Sequence, residues 1–210
     1  MNRRSYAITL VALIVLAGGG IAASMVWRKS APKPTSSSQA APKTPQQDSS
    51  QHGFLDVDFA QKMIIHDQQA MQITALAATN SSSEVIRGVA SRISAQATAD
   101  SEKYISWLKA WGETYTNLSD FPEMDGHDMY PTYPGMASTT TVKALRASTG
   151  SDFDKLFVET MKKHQEGAIE MQTGSFGAQV KFGEMLDWRK TQVEKQSKFI
   201  TALSDLARDL

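Results

Sequence analysis

The feature that most constrains this chain is an internal repeat. DVDFAQKMIIHDQQAMQI, starting at Asp56, lies over DKLFVETMKKHQEGAIEM, starting at Asp154, at an offset of 98 residues. Identical pairs are Asp56/Asp154, Phe59/Phe157, Met63/Met161, His66/His164 and Ala70/Ala168, with Ile73/Met171 conservatively changed. In the first copy Phe59, Met63, His66, Ala70 and Ile73 recur at spacings of three and four, the period of one buried helix face. Two helix pairs descended from one hairpin place the first and third long helices in equivalent, facing positions.

The rest of the chain is read around that frame. Helix 1 is expected over 55–79. Ser81 with Glu84, three positions on, offers a capping box opening helix 2, which runs to about Trp111. Residues 112–137 hold three prolines and three glycines and form a long connection, a length unusual in a compact domain unless it has a task. A short helix follows over 139–148. Ser151 and Asp154 are expected to cap helix 3, which runs to about Gln172, and helix 4 covers about 178–208. The expected fold is all-α: an antiparallel four-helix bundle of two duplicated hairpins, residues 53–210, with no strand-like alternation of useful length.

Upstream, Ser5–Trp27 contains no charged residue and matches the length of a bilayer-spanning helix. Residues 1–29 are read as a membrane anchor, the competing reading being a cleaved signal peptide with a processing site near Ala22–Ser24. Residues 30–52 are rich in Pro and Ser, lack large apolar side chains, and read as an extended disordered linker. Basic residues flank the run on both sides, and the short basic start favours an inside N-terminus, so the folded part is expected on the periplasmic or extracellular side of the cell membrane. That part carries 16 Lys/Arg against 21 Asp/Glu, a net of −5, which argues against nucleic acid as a partner.

The chain has no cysteine, so a soft metal must be held by Met or His. Three of its four histidines, His66, His127 and His164, have a methionine three residues before them: Met63, Met124 and Met161. On a helix that spacing puts thioether and imidazole on one face, and the two donor types together suit Cu(I). Within 112–137, Met124, His127, Met129 and Met136 form a candidate metal-catching segment. Against this stands the plainer reading of Met63, Met161 and Met171 as core filler and of His66 and His164 as buried, hydrogen-bonded histidines. Asp67 is either a partner of His66 or exposed, Glu166 and Glu170 a solvated face, and Trp107, Trp111 and Trp188 core. His52 is expected to be silent. No histidine has Glu three positions before it, against a di-iron carboxylate site, and no phosphate loop, nucleophile elbow or dinucleotide fingerprint occurs.

The segments DVDFAQKMIIH and FDKLFVETMKKHQEGAIEM, with YPGM between them, resemble a bacterial ferritin-like family catalogued as a domain of unknown function and marked by duplicated M-x-x-H-H-x-x-A-x-x-M helices. The resemblance covers residues 54–206. It implies a four-helix bundle, commonly exported, with some members linked to copper binding and copper tolerance. By position, the motif residues fall on Met63, His66, Met161, His164 and Met171, with Met136 in the connection. Where the family has second histidines, this chain has Asp67 and Gln165, and Ile73 replaces the last Met of the first motif. The expected function is a membrane-anchored, extracytoplasmic metal-binding protein that buffers copper(I) or confers tolerance to it, not an enzyme. The alternative is a helical interaction module for an envelope protein partner, its metal site degenerate. A third reading, a metal-dependent redox enzyme, lacks a readable general base or substrate pocket.

Overall fold

The computed structural model describes residues 51–121 and 133–210. The apolar run 5–27, the linker residues 30–50 and the loop positions Met124, His127 and Met129 lie outside the described residues. Six α-helices and one 3-10 turn follow in order: α1 Phe54–Asn80, α2 Glu84–Trp111, the turn Leu118–Asp120, α3 Thr139–Ala147, α4 Gly150–Thr173, α5 Ser175–Ala178 and α6 Gly183–Asp209. There is no strand, and no helix is long and apolar enough to cross a membrane, among the described residues. The four long helices pack as two hairpins, α1 with α2 and α4 with α6. α1 lies against α4, α2 against α6, and short α3 touches both α1 and α4.

Every matched position of the repeat is buried, from Asp56/Asp154 to Ile73/Met171. The two aspartates show how the hairpins are joined. Asp56, in the first turn of α1, accepts through Oδ1 from the backbone N–H groups of Lys181 (2.7 Å) and Phe182 (2.9 Å), where the second hairpin turns into α6. Its Oδ2 accepts from Gly53 N at 2.8 Å, closing the start of α1. Asp154, in the first turns of α4, accepts from the hydroxyls of Ser81 and, at 3.3 Å, Ser82, in the turn of the first hairpin. Each hairpin thus grips the turn of the other from opposite ends of the bundle, and α1 and α4 run antiparallel.

This arrangement corrects three sequence expectations. The capping box from Ser81 does not form, because Ser81 is engaged by Asp154; Ser83 caps α2 by accepting from Ile86 N at 3.3 Å. α4 begins at Gly150, so Ser151 and Asp154 lie inside the helix rather than capping it. α6 starts at Gly183, later than expected, because α5 and the residues held by Asp56 occupy the connection. His52 is not silent: its ring stacks on Trp111 at 4.3 Å with the planes 3° apart.

The core falls into two apolar halves. One contains Ile73, Ile86, Ile93, Leu145, Phe153, Phe157, Met161 and Leu203. The other contains Phe59, Met63, Tyr104, Trp107, Leu108, Met171, Phe182 and Met185. Between them each long helix contributes buried polar side chains: His66 and Asp67 from α1, Asp100 from α2, His164 and Gln165 from α4, Gln192 and Gln196 from α6. Burying polar groups is unfavourable unless they are partnered, so the fold spends stability on this middle layer.

The clasps differ in strength, because Asp56 satisfies three backbone N–H groups that have no other acceptor among the described residues, whereas the serine hydroxyls held by Asp154 can turn elsewhere. Asp56→Ala is expected to cost about 3 kcal/mol and Asp154→Ala about 1 kcal/mol in urea unfolding. Lying at opposite ends, the two losses should add to within about 0.5 kcal/mol in the double variant. Equal costs, or strong coupling, would contradict the clasp geometry.

Candidate metal centre

The antiparallel crossing of α1 and α4 brings the repeat's two histidines face to face. The rings of His66 and His164 lie 4.0 Å apart between centroids, tilted by 43°, each 1% exposed. His66 Nε2 lies 3.1 Å from the carbonyl oxygen of Pro134. Since a carbonyl only accepts, Nε2 carries the hydrogen. His164 has no hydrogen-bond partner for either ring nitrogen among the described residues. Burial lowers the pKa of His66 to about 4, the Pro134 carbonyl offsetting part of that drop. Burial first, and then the neighbouring His66, holds His164 well below the ordinary range, an approach to the His66 backbone opposing part of that. Both imidazoles are therefore neutral at pH 7, the form in which histidine binds metals.

The Pro134 carbonyl is delivered by a tight backbone contact. Gly135 has φ +77°, a conformation side chains disfavour, and a Cβ there would sit 2.6 Å from Lys163 O, 2.8 Å from Gly167 Cα and 3.0 Å from His164 O. A Cβ on Gly167 would run into Pro134 O and Gly135 Cα. Only a glycine facing a glycine lets the segment lie directly on α4. Gln69 completes the hold: its amide donates to Ala137 O at 2.9 Å and accepts from Ala137 N at 2.7 Å. Gln68 does the same for the incoming arm, accepting from Leu118 N at 2.6 Å and donating to Asn117 Oδ1 at 2.9 Å. The sequence reading missed these roles. The available signal was the glycine in YPGM together with the one in HQEG, visible as motif letters but not as a contact.

Beside the histidines lies a cavity lined by His66, Asp67, Asp100, His164, Gln165 and Gln196, among others, with about 10 Å³ of free space. That is room for one water-sized particle. Asp67 is buried, not exposed, and its Oδ2 has no partner among the described residues. Burial pushes its carboxyl well above the usual range, and the charge of Asp100 pushes it further. Asp100 is raised to about 6 by burial, an effect moderated by a 2.7 Å hydrogen bond from Gln96 and by Lys195.

Met63, Met161 and Met171 lie in the apolar core, as the plainer of the two sequence readings has them. Met63 and Met171 pack together in one apolar half and Met161 in the other, while Met136 covers Ile65 and Leu118. None of them lines the cavity. Among the described residues no group of three or more His, Asp or Glu is placed to hold a metal ion. Glu166 and Glu170 lie on the exposed face, Glu166 paired with Lys162 at 3.3 Å. Trp107 is buried, and Trp111 and Trp188 are half-buried beside it.

The layer sets two opposed pH dependences. Histidines lowered in the fold let the unfolded chain take up protons first, so stability falls as pH drops from about 6.5 to about 4. A carboxyl raised to about 6 does the reverse, and stability grows as pH falls from about 6 towards the ordinary aspartate value. Asp100→Asn keeps an acceptor for Gln96, removes this carboxyl's share of the second effect and relieves the charge that raises Asp67. We expect it to raise the urea midpoint at pH 7–8 and to steepen the loss of stability between pH 6.5 and 4; an unchanged pH profile would show that Asp100 is not held protonated by the fold.

No curated protein matches the chain. Several solved structures are similar to it, three of them as follows. A DUF305 fragment from Deinococcus radiodurans shares 21% identity with a TM-score of 0.64, over 76% of this chain and 99% of that one. A DUF305 protein from Streptomyces coelicolor, described as secreted, shares 22% with a TM-score of 0.63, over 74% and 91%. CopM in its Cu(II)-bound form shares 19% with a TM-score of 0.59, over 73% and 96%. At these identities the likeness is one of fold. The model of the family described as "Domain of unknown function (DUF305)" matches residues 56–207, from the first turn of α1 to the last of α6, and the chain belongs to that family.

Proposed function

We propose that this protein is a metal-binding protein of the cell envelope, with copper as its ion and His66 and His164 as the centre of its site. The observation that carries the reading is His164: a neutral, buried imidazole with no side-chain hydrogen bond formed by either ring nitrogen among the described residues, 4.0 Å from a second neutral imidazole and bordering a space for one small particle. Leaving such a ring unsatisfied costs about 1–3 kcal/mol, and a metal ion accepting its lone pair offsets part of that. Bound copper would supply redox or transfer chemistry; the chain's own part is to offer imidazole nitrogen from a water-poor layer. Further donors would come from Met124, His127 and Met129 of the connection, since Met63, Met161 and Met136 do not line the cavity. The fold shared with CopM, whose structure is a Cu(II)-bound form, supports the choice of ion. The secreted relative supports a location outside the cytoplasm. We read the protein as a copper-buffering or tolerance protein rather than an enzyme, anchored through residues 1–29.

One observation favours a second reading, a helical module that docks an envelope protein through its surface. The thioethers are divided between two apolar clusters, and Asp67 and Gln165 stand where the family's second histidines would be. In that case the polar layer is a remnant with no ligand.

Competitive titration of the purified full chain with Cu(I) under reducing conditions, and with Zn(II) alongside, separates the two. One copper per chain is expected, lost when His66 and His164 are both changed to leucine and weakened by His127→Ala. Absence of copper binding by the native chain at micromolar metal would sink the copper reading in favour of the docking module.

A further inference from the structure

We propose that the segment Tyr133–Ala137 is a positioning strap that fixes His66 as the Nε2–H tautomer and so assigns Nδ1 as the atom His66 offers to a metal. This rests on the metal-binding reading above. Metal-bound histidines usually donate their second ring N–H to a carbonyl or carboxylate, which sets both tautomer and ring orientation. Here the acceptor is the Pro134 carbonyl, 3.1 Å from Nε2. A backbone carbonyl is useful in that role only if the backbone cannot drift, and three separate features hold it. Gly135 adopts φ +77° with no room for a side chain. Gly167 admits the Pro134–Gly135 peptide directly onto α4. Gln69, fully buried, holds Ala137 by both its N–H and its C=O. His164 has no comparable partner among the described residues, so the two imidazoles are inequivalent: one is oriented in advance, the other adjusts.

The inference can be read without any metal. Long-range 1H–15N spectra of the full chain labelled at histidine are expected to show His66 as a single tautomer, with a pyridine-type Nδ1 and a pyrrole-type Nε2. Gly167→Ala drives a methyl group into Pro134, and Gln69→Leu frees Ala137 without adding that clash, so one of the two should remain folded by circular dichroism if the other does not. Each is expected to give mixed His66 tautomers and about 10- to 100-fold weaker copper affinity. Gly88→Ala, where a Cβ meets nothing nearer than Arg92 Nη1 at 3.7 Å, is the control and should change neither. An Nδ1–H tautomer in a native chain that binds copper would overturn the strap's role alone, as would native tautomer and affinity in both strap variants. A native chain that shows the Nε2–H tautomer but binds no copper would overturn the metal reading, and with it Nδ1 as a ligand atom.

Discussion

The bundle depends on two buried carboxylates that each tie one hairpin to the turn of the other. Helices α1 and α4 meet through a seam that is apolar at its ends and polar at its centre. Apolar contact alone would tolerate sliding by a turn, since one alanine, isoleucine or methionine packs much like the next. The hydrogen bonds of Asp56 to Lys181 and Phe182, and of Asp154 to Ser81 and Ser82, do not tolerate it. With both ends pinned, His66 and His164 have no choice but to face each other, and Gly167 can only lie beneath Gly135.

The polar layer is where stability has been given up. Tyr104 Oη, Asp67 Oδ2 and both nitrogens of His164 lie buried without partners among the described residues. The fold's answer is neutrality: imidazoles held down and carboxyls held up in pKa leave few full charges in the layer at mildly acidic pH. As pH rises through the value of Asp100, the layer gains negative charge beside two neutral imidazoles. That is the electrostatic setting in which a cation is most welcome.

Much of this was legible in the sequence, and the reasons are specific. The repeat disclosed the facing histidines because identical letters at 56, 59, 63, 66 and 70 and their counterparts mark the buried stripe of a helix, and every one is buried. Helix existence followed from period, while helix starts did not: Ser81 and Asp154 both look like caps locally and instead bond each other across the molecule. The three Met-x-x-His pairs suggested converging sulfur and nitrogen, but three residues along a helix is also a step from the polar layer into an apolar half, which is where Met63 and Met161 are found. Asp67 gave no local sign of burial, since a charged residue in a helix is normally solvated. The strap was hidden because its cause is the meeting of two glycines 32 positions apart, and nothing in a one-dimensional pattern says that two glycines touch.

At an offset of 98, Gln69 in α1 and Gly167 in α4 are the same position of the duplicated helix. One copy holds the strap with a side chain; the other receives it by having none. A symmetric pair of identical hairpins could not do this, because whatever residue stood at that position would appear twice, giving either two amides with no bed for the strap or two gaps with nothing to grip it. Joining the two hairpins in one chain allows the copies to diverge, and a scaffold with approximate two-fold symmetry thereby carries a single, one-sided loop. The same freedom is visible two positions earlier, where Asp67 and Gln165 give the layer an acid on one helix and an amide on the other.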